Sequence, residues 1–277
     1  MISQAVDLAT GDASLRQRVM REATRILEEE FSYTRLSIIA ASRIHKVIRE
    51  MTGNNDPYSP MKEREMSLAR DLYPEMSQWP GSEALVDGQL DGRGLRVDIQ
   101  LAAAANAIDY FRDFDVVRDD LRRPVDFAID DVERLLTVLS EGRRVLYLAD
   151  NAGEIYFDLP LVNRLKQYAD VIYVVKPEPC QNDLTLDDVK ETGLEGDFGS
   201  VISSGVASPG VVFSQASIEF LREFESADLV FAKGMGHYEA LSELPAKGRF
   251  FHCLKAKCLP VARSIGVPLN SYVAMLR

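Results

Sequence analysis

Cysteine is scarce in this chain, and none of its three cysteines forms a Cys-x-x-Cys pair. Cys180, Cys253 and Cys258 make an odd count, which suits neither a disulfide framework nor a zinc finger. A reducing, cytoplasmic compartment is therefore expected. Positive charge is also in short supply: 32 Lys and Arg face 43 Asp and Glu, for a formal net charge of -11. A large phosphate-binding surface needs clustered Lys and Arg, so no nucleic-acid partner is expected. No apolar run reaches bilayer-spanning length, so no membrane partner is expected either. Met1 to Asp12 lacks the basic region and apolar core of a secretory signal. Internal repeats and low-complexity tracts are missing as well.

What is present is a globular chain of 277 residues, 46% hydrophobic, long enough for one large domain or two smaller ones. The first half reads as helical. Leu15, Val19, Ala23, Ile26 and Leu27 share one face of a helix from about Ser14 to Phe31, and Leu36, Ala40, Ile44, Val47 and Ile48 share one from Arg35 to Met51. Ser59-Pro60 is a helix start, and the charges that follow it, Lys62 and Glu63, read as solvated surface. A long helix is expected from Leu95 to Phe114, with Asn106 and Asp109 three apart on one face. A charged break at Arg118 to Pro124 precedes a helix from Asp126 to Leu139. This predicts a helical domain over 1–125 and an α/β domain over 126–277.

The second half alternates short apolar runs with helical stretches. The runs are Val145 to Ala149, Val171 to Val175, Val201 to Ser203, Leu229 to Ala232, Phe250 to Leu254 and Tyr272 to Leu276. Such alternation implies a mostly parallel sheet with crossover helices, its strand carboxyl ends on one edge. That edge collects Asp150, Asn151, Lys176, Asp183, Ser204, Gly205, Lys233, Lys255 and Lys257. Asp150-Asn151 directly after a strand is equally good turn and helix-cap chemistry. Yet hard oxygen ligands at such an edge suit Mg²⁺ or Mn²⁺, with Co²⁺ and Ni²⁺ as further candidates, and lysines beside them suit an anion. His45 reads as surface or core, His252 as core, Cys258 as a buried small hydrophobe, and Asp158 as a turn-orienting residue. Glu154 reads as a cap or a support for the metal ligands.

Several segments together resemble the metal-dependent damage-control phosphatases, formerly a domain family of unknown function. They are Leu148 to Asp158, Asn182-Asp183-Leu184-Thr185, Ala227 to Glu239 and Leu254 to Cys258. Thr52 to Tyr58, with Asn106 and Asp109, is similar to the stand-alone branch, although that branch's amino-terminal Cys-x-x-Cys is missing here. The resemblance implies a helical part packed on a Rossmann-like α/β/α part. It implies divalent-metal-dependent hydrolysis of phosphate monoesters of small metabolites, such as sugar phosphates or damaged phosphometabolites. It places the metal on Asp150, Asn151 and Asp183, a substrate-facing lysine at Lys255, and a second phosphate contact at Lys233. Lys257, Gly205, Ser208, His237, Asn106 and Asp109 complete the expected substrate contacts.

The mechanism read from these residues is metal-assisted hydrolysis, with Asp150 either attacking phosphorus or holding metal while water attacks. Ala152 stands where a haloacid-dehalogenase-type phosphatase needs its second Asp. Two rivals are a Rossmann-type methyltransferase, with Gly234-Met235-Gly236 as its glycine turn, and a non-catalytic metal or phosphosugar-binding protein.

Overall fold

In the computed structural model, which describes residues 2–32, 36–76, 92–108, 114–121, 123, 125–142 and 144–277, the apolar run before Asp150 is a strand whose alternate side chains enter different cores. Val145 and Tyr147 face one helical layer, and Leu146 and Leu148 face the other. This is the period-two alternation of a pleated strand buried on both sides.

Six helices precede the first strand among the described residues: α1 (Ile2–Ala9), α2 (Ala13–Glu30), α3 (Ser37–Thr52), α4 (Ser59–Met76), α5 (Gly92–Ala104) and α6 (Phe114–Leu121). The seven strands are β1 (Phe127–Asp130), β2 (Arg144–Leu148), β3 (Asp170–Val175), β4 (Ser200–Ser203), β5 (Leu229–Lys233), β6 (Phe250–Lys255) and β7 (Tyr272–Leu276). Between and after them run α7 (Val132–Glu141), α8 (Ile155–Leu165), α9 (Leu186–Thr192), α10 (Glu195–Phe198), α11 (Ile218–Ser226), α12 (Gly234–Ser242) and α13 (Leu259–Ile265). The sheet order is β1-β7-β6-β5-β2-β3-β4, and every pairing is parallel except β6 with β7. The chain therefore moves from β2 outward through β3 and β4, then returns to the other side of β2 as β5. The strand order reverses between β2 and β5, and ligands bind at such a switch point in open α/β sheets.

The helical first half packs in two ways. Helices α1, α2 and α3 bury Val6, Val19, Ala23, Ile26 and Ile48 in a separate core, which Tyr58 and Met61 at the start of α4 complete. Helices α4 to α6 bury Met66, Leu72, Ile99, Val117 and Leu121 directly against one sheet face. On the opposite face lie Ile38 of α3, Phe220 and Phe224 of α11, and Leu241 of α12. Capping fixes several boundaries. Asp12 accepts from the Ser14 and Leu15 amides to start α2, and Gly53 (φ 69°) ends α3 in the left-handed region.

Three sequence expectations are corrected here. The segment 126–139 is not one helix. Its first part is β1, an edge strand with only β7 beside it, and four alternating residues there are too few to separate period two from a helical turn. Residues 118–121 of the expected charged break belong to α6, because Val117 and Leu121 lie four apart and are both fully buried, and residues 122 and 124 lie outside the described residues. The helix expected to reach Phe114 ends at Ala104 and continues as a 3-10 turn, Ala105–Ala107.

Candidate active site

The chain leaves β2 at Ala149 and passes through Asp150 and Asn151 into a 3-10 turn, Ala152–Glu154, and then α8. The loop after β3 folds back alongside. Leu184 donates its amide to the Asp150 carbonyl (2.9 Å), Ala152 donates to the Asn182 carbonyl (2.8 Å), and Asn151 and Asp183 form an antiparallel bridge. Two adjacent crossovers thus deliver Asp150, Asn151 and Asp183 to one place. All three line a cleft of about 650 Å³, with Asn106, Gln181, Tyr238, Glu239 and Lys257 among its other walls.

The polar contacts are linked through shared acceptors. Asn106 Nδ2 donates to Glu154 Oε1 (2.7 Å) and Asp150 Oδ2 (3.1 Å). Asn151 Nδ2 donates to the same two oxygens, at 2.6 and 3.1 Å. Glu154 Oε2 pairs with Lys233 Nζ at 2.6 Å. The same ammonium reaches Asp158 Oδ1 (2.7 Å) and the Ala102 carbonyl (2.8 Å). Tyr147 and Tyr173 each donate to Asp158 at 2.9 Å. Lys257, the exposed side chain of the short loop after β6, donates through Nζ to the Asn106 carbonyl at 2.6 Å.

Charge and burial shift these groups apart. Burial, then the negative charges of Glu154 and Asp183, push the Asp150 carboxyl well above the usual range, against the pull of Lys257 and Lys233. Burial pushes Asp183 up to about 7 although Lys176 favours its ionised form. Burial also acts to raise Glu154, but Lys233 and Asn106 outweigh it and hold that carboxyl below its usual value.

Several expected contacts stand elsewhere. Lys233 is 0% exposed, and three oxygens surround its three protons. It is a buried counter-charge, ion-paired with Glu154 and Asp158 and away from the cleft wall. His237 is buried and turned to the Ala149 carbonyl (3.0 Å). Burial and Lys176 keep its imidazole neutral. It props the end of β2 and does not border the cleft. Lys255 reaches the right edge, but its Nζ lies over the Tyr272 ring, 4.8 Å from the centroid. Ser208 is fully buried, and the exposed Gly205 (φ 77°) packs on Ser217; neither borders the cleft. Asp109 lies outside the described residues.

Readings of three other residues are corrected. Lys62 is buried, with Asp56 at 2.7 Å and Asp188 at 3.0 Å, so it is no surface charge. Asp158 orients no turn; it anchors Lys233 and two tyrosines. Cys258 is half-buried on the cleft wall. The buried Glu65, which accepts from Asn182 at 3.1 Å, escaped the sequence reading because a lone Glu on α4 carries no motif.

The oxygen set suits a hard cation. Asp183 Oδ2 is buried without a hydrogen bond, and its nearest ammonium, Lys176 Nζ, is 3.5 Å away. Among the described residues no three His, Cys, Asp or Glu side chains are arranged to hold a metal. The donors at this edge are instead two carboxylates and the Asn151 carboxamide, a composition that favours Mg²⁺ or Mn²⁺.

A family profile described as the damage-control phosphatase ARMT1-like domain matches residues 1–273. The chain belongs to this family. It is 34% identical over 280 residues to a damage-control phosphatase of Pyrococcus horikoshii, covering 98% of this chain and 92% of the relative. It is 34% identical over 275 residues to a damage-control phosphatase of Archaeoglobus fulgidus, covering 96% and 92%. The crystal structure of a DUF89 family protein from Pyrococcus horikoshii superposes with a TM-score of 0.86 at 32% identity, covering 99% of this chain and 94% of that one. The α/β fold, with its helical first part on a mostly parallel sheet, is thus a damage-control phosphatase fold. Among the described residues no helix is long and apolar enough to cross a membrane.

Proposed function

We propose that this damage-control phosphatase hydrolyses phosphate monoesters of small polar metabolites with the help of a divalent metal held by Asp150, Asn151 and Asp183. The observation that carries the reading is the buried Asp183 Oδ2, unbonded beside Asp150 and Asn151 in the cleft. When bound there, such an ion supplies positive charge to phosphoryl oxygens.

The chain's own groups do the rest. Lys257 is the exposed cation on the cleft wall and offsets the remaining charge of a phosphoryl group; it replaces Lys255 and Lys233 in that role. Asn106 and Asn151 hold Asp150 through Oδ2, leaving Oδ1 outside that pair of hydrogen bonds. Ser37, Ser242, Ser264, Glu239 and Glu243 line the cleft with acceptors and hydroxyls suited to a hydroxylated substrate. Its volume falls within the range of roughly 300–1,000 Å³ usual for small-molecule sites.

The methyltransferase alternative loses its glycine turn. A Cβ at Gly234 would meet Asp150 Oδ2 at 2.1 Å, and one at Gly236 would meet the Pro209 carbonyl at 2.1 Å. Both glycines are thus spent on close packing within the protein. The test is turnover of an aryl phosphate by protein dialysed against chelator, with and without added Mn²⁺, Mg²⁺, Co²⁺ or Ni²⁺. Metal-restored turnover supports the reading. Full turnover in excess chelator removes the metal, and metal binding without turnover leaves a binding protein.

A further inference from the structure

We propose that Glu154 is a positioning residue that fixes Asn151 with its carboxamide oxygen turned away from Glu154 and free to bind a cation. The inference rests on the metal reading above and concerns how the chain prepares Asn151, the neutral member of the three proposed ligands. A carboxamide has two chemically different ends, and only the oxygen end can bind a metal. Left alone, an Asn beside two acids could present either end, so something must select one.

Glu154 makes the selection. Its Oε2 is paired with the Lys233 ammonium at 2.6 Å, so the group is a carboxylate and can only accept. Its Oε1 receives the amide nitrogens of both Asn151 (2.6 Å) and Asn106 (2.7 Å). Those nitrogens also bridge to Asp150 Oδ2, each at 3.1 Å. Two amides are clamped between the same two carboxylate oxygens, and in each the nitrogen must face inward. Rotating Asn151 by half a turn would set its oxygen against Glu154 Oε1, an acceptor against an acceptor. The clamp also keeps two acidic side chains close together, and Lys233 anchors it from behind. Lys233 is fixed in turn by Asp158, itself held by Tyr147 and Tyr173 on two adjacent strands. The orientation of one ligand is thus referred back to the centre of the sheet.

The test separates orientation from charge. Glu154→Gln removes the charge and places an amide where only an acceptor serves. Glu154→Asp keeps the charge but withdraws the acceptor by one methylene. Mn²⁺ binding to the metal-free proteins is measured by calorimetry, with folding checked by circular dichroism. Loss of a group supporting a metal ligand typically weakens affinity roughly 10- to 100-fold, and a loss of that size is expected for both variants. Wild-type affinity in Glu154→Asp with weakened binding in Glu154→Gln would mean that Glu154 acts by charge alone, and would overturn the proposal. Wild-type affinity in both would overturn it too. Should neither variant fold, the wild-type protein decides. In the metal-free state the side-chain amide protons of Asn106 and Asn151 should be protected from solvent exchange in NMR spectra, and exchange at the rate of a free amide would overturn it. Wild-type protein that binds no Mn²⁺ would be a different failure, that of the metal reading itself.

Discussion

Gly234 and Asp150 occupy what would otherwise be the same space. The Asp150 carboxylate lies where a side chain at 234 would begin, with Oδ2 2.1 Å from an ideal Cβ position, and Gly234 holds φ at 76°. A left-handed backbone costs alanine about 1–2 kcal/mol before any clash. Gly234→Ala should therefore lower the thermal midpoint and displace Asp150. Calorimetric titration should show Mn²⁺ affinity reduced at least tenfold, and unchanged affinity would mean that Asp150 is not a ligand in this pose.

Asp183 gives a pH signature. In the folded, metal-free chain it keeps its proton up to about pH 7, whereas an unperturbed Asp loses it near pH ~3.9. The folded state therefore binds more protons than the unfolded state between those values, and stability falls as pH rises through that window. Asp183→Asn removes this dependence. In chelator, the variant should melt higher than wild type at pH 8 and nearly level with it at pH 4, while binding Mn²⁺ far more weakly at neutral pH. Equal midpoints at pH 8 would show that Asp183 is not strained in the metal-free state.

The two lysines after β6 should separate cleanly. Lys257 borders the cleft, and Lys255 is turned to Tyr272. A charge-assisted hydrogen bond contributes about 1.5–3 kcal/mol, so Lys257→Ala should lower kcat/KM on an aryl phosphate on the order of 10- to 150-fold. Lys255→Ala should stay within a few-fold of wild type. The reverse pattern would move the phosphate to Lys255.

Lys233 is tested through stability. Lys233→Met leaves Glu154 and Asp158 buried with no counter-charge, and breaking a buried pair in this way costs about 3–5 kcal/mol. Urea unfolding should show a loss of that size. A loss below about 1 kcal/mol, the usual scale for exposed pairs, would place Lys233 in contact with solvent.

The sheet was legible because strands buried on both faces are written as unbroken apolar runs, as at 145–148 and 229–232. The edge strand β1 was not, since its four residues alternate and only one neighbour fixes them. At the site, Asp150, Asn151 and Asp183 were visible as polar residues placed directly after strands or in the loop that follows. The direction of a long side chain was not visible. Lys233, Lys255 and Lys257 look alike in sequence, yet one is buried among three oxygens, one lies on a ring and one borders the cleft. The burial of Lys62 is hidden in sequence for the same reason, because its partners Asp56 and Asp188 are brought to it by the fold. Asn106 was found through spacing and resemblance, but that it shares two acceptors with Asn151 depends on how α5 packs across the sheet.

The position of β5 between β2 and β6 also sets an order of assembly during synthesis. Translation delivers β2, β3 and β4, with Asp150, Glu154, Asp158 and Asp183, before residues 229–233 exist. A growing chain that stops at β4 already holds Lys176 beside Asp183 but lacks the Lys233 that pairs with Glu154 and Asp158. One side of β2 is also still without a partner. Domains tend to fold as units, and here the ammonium that permits burial of those acids arrives on the same strand that closes the gap in the sheet. Closure of the sheet and neutralisation of Glu154 and Asp158 are therefore one event in the growing chain.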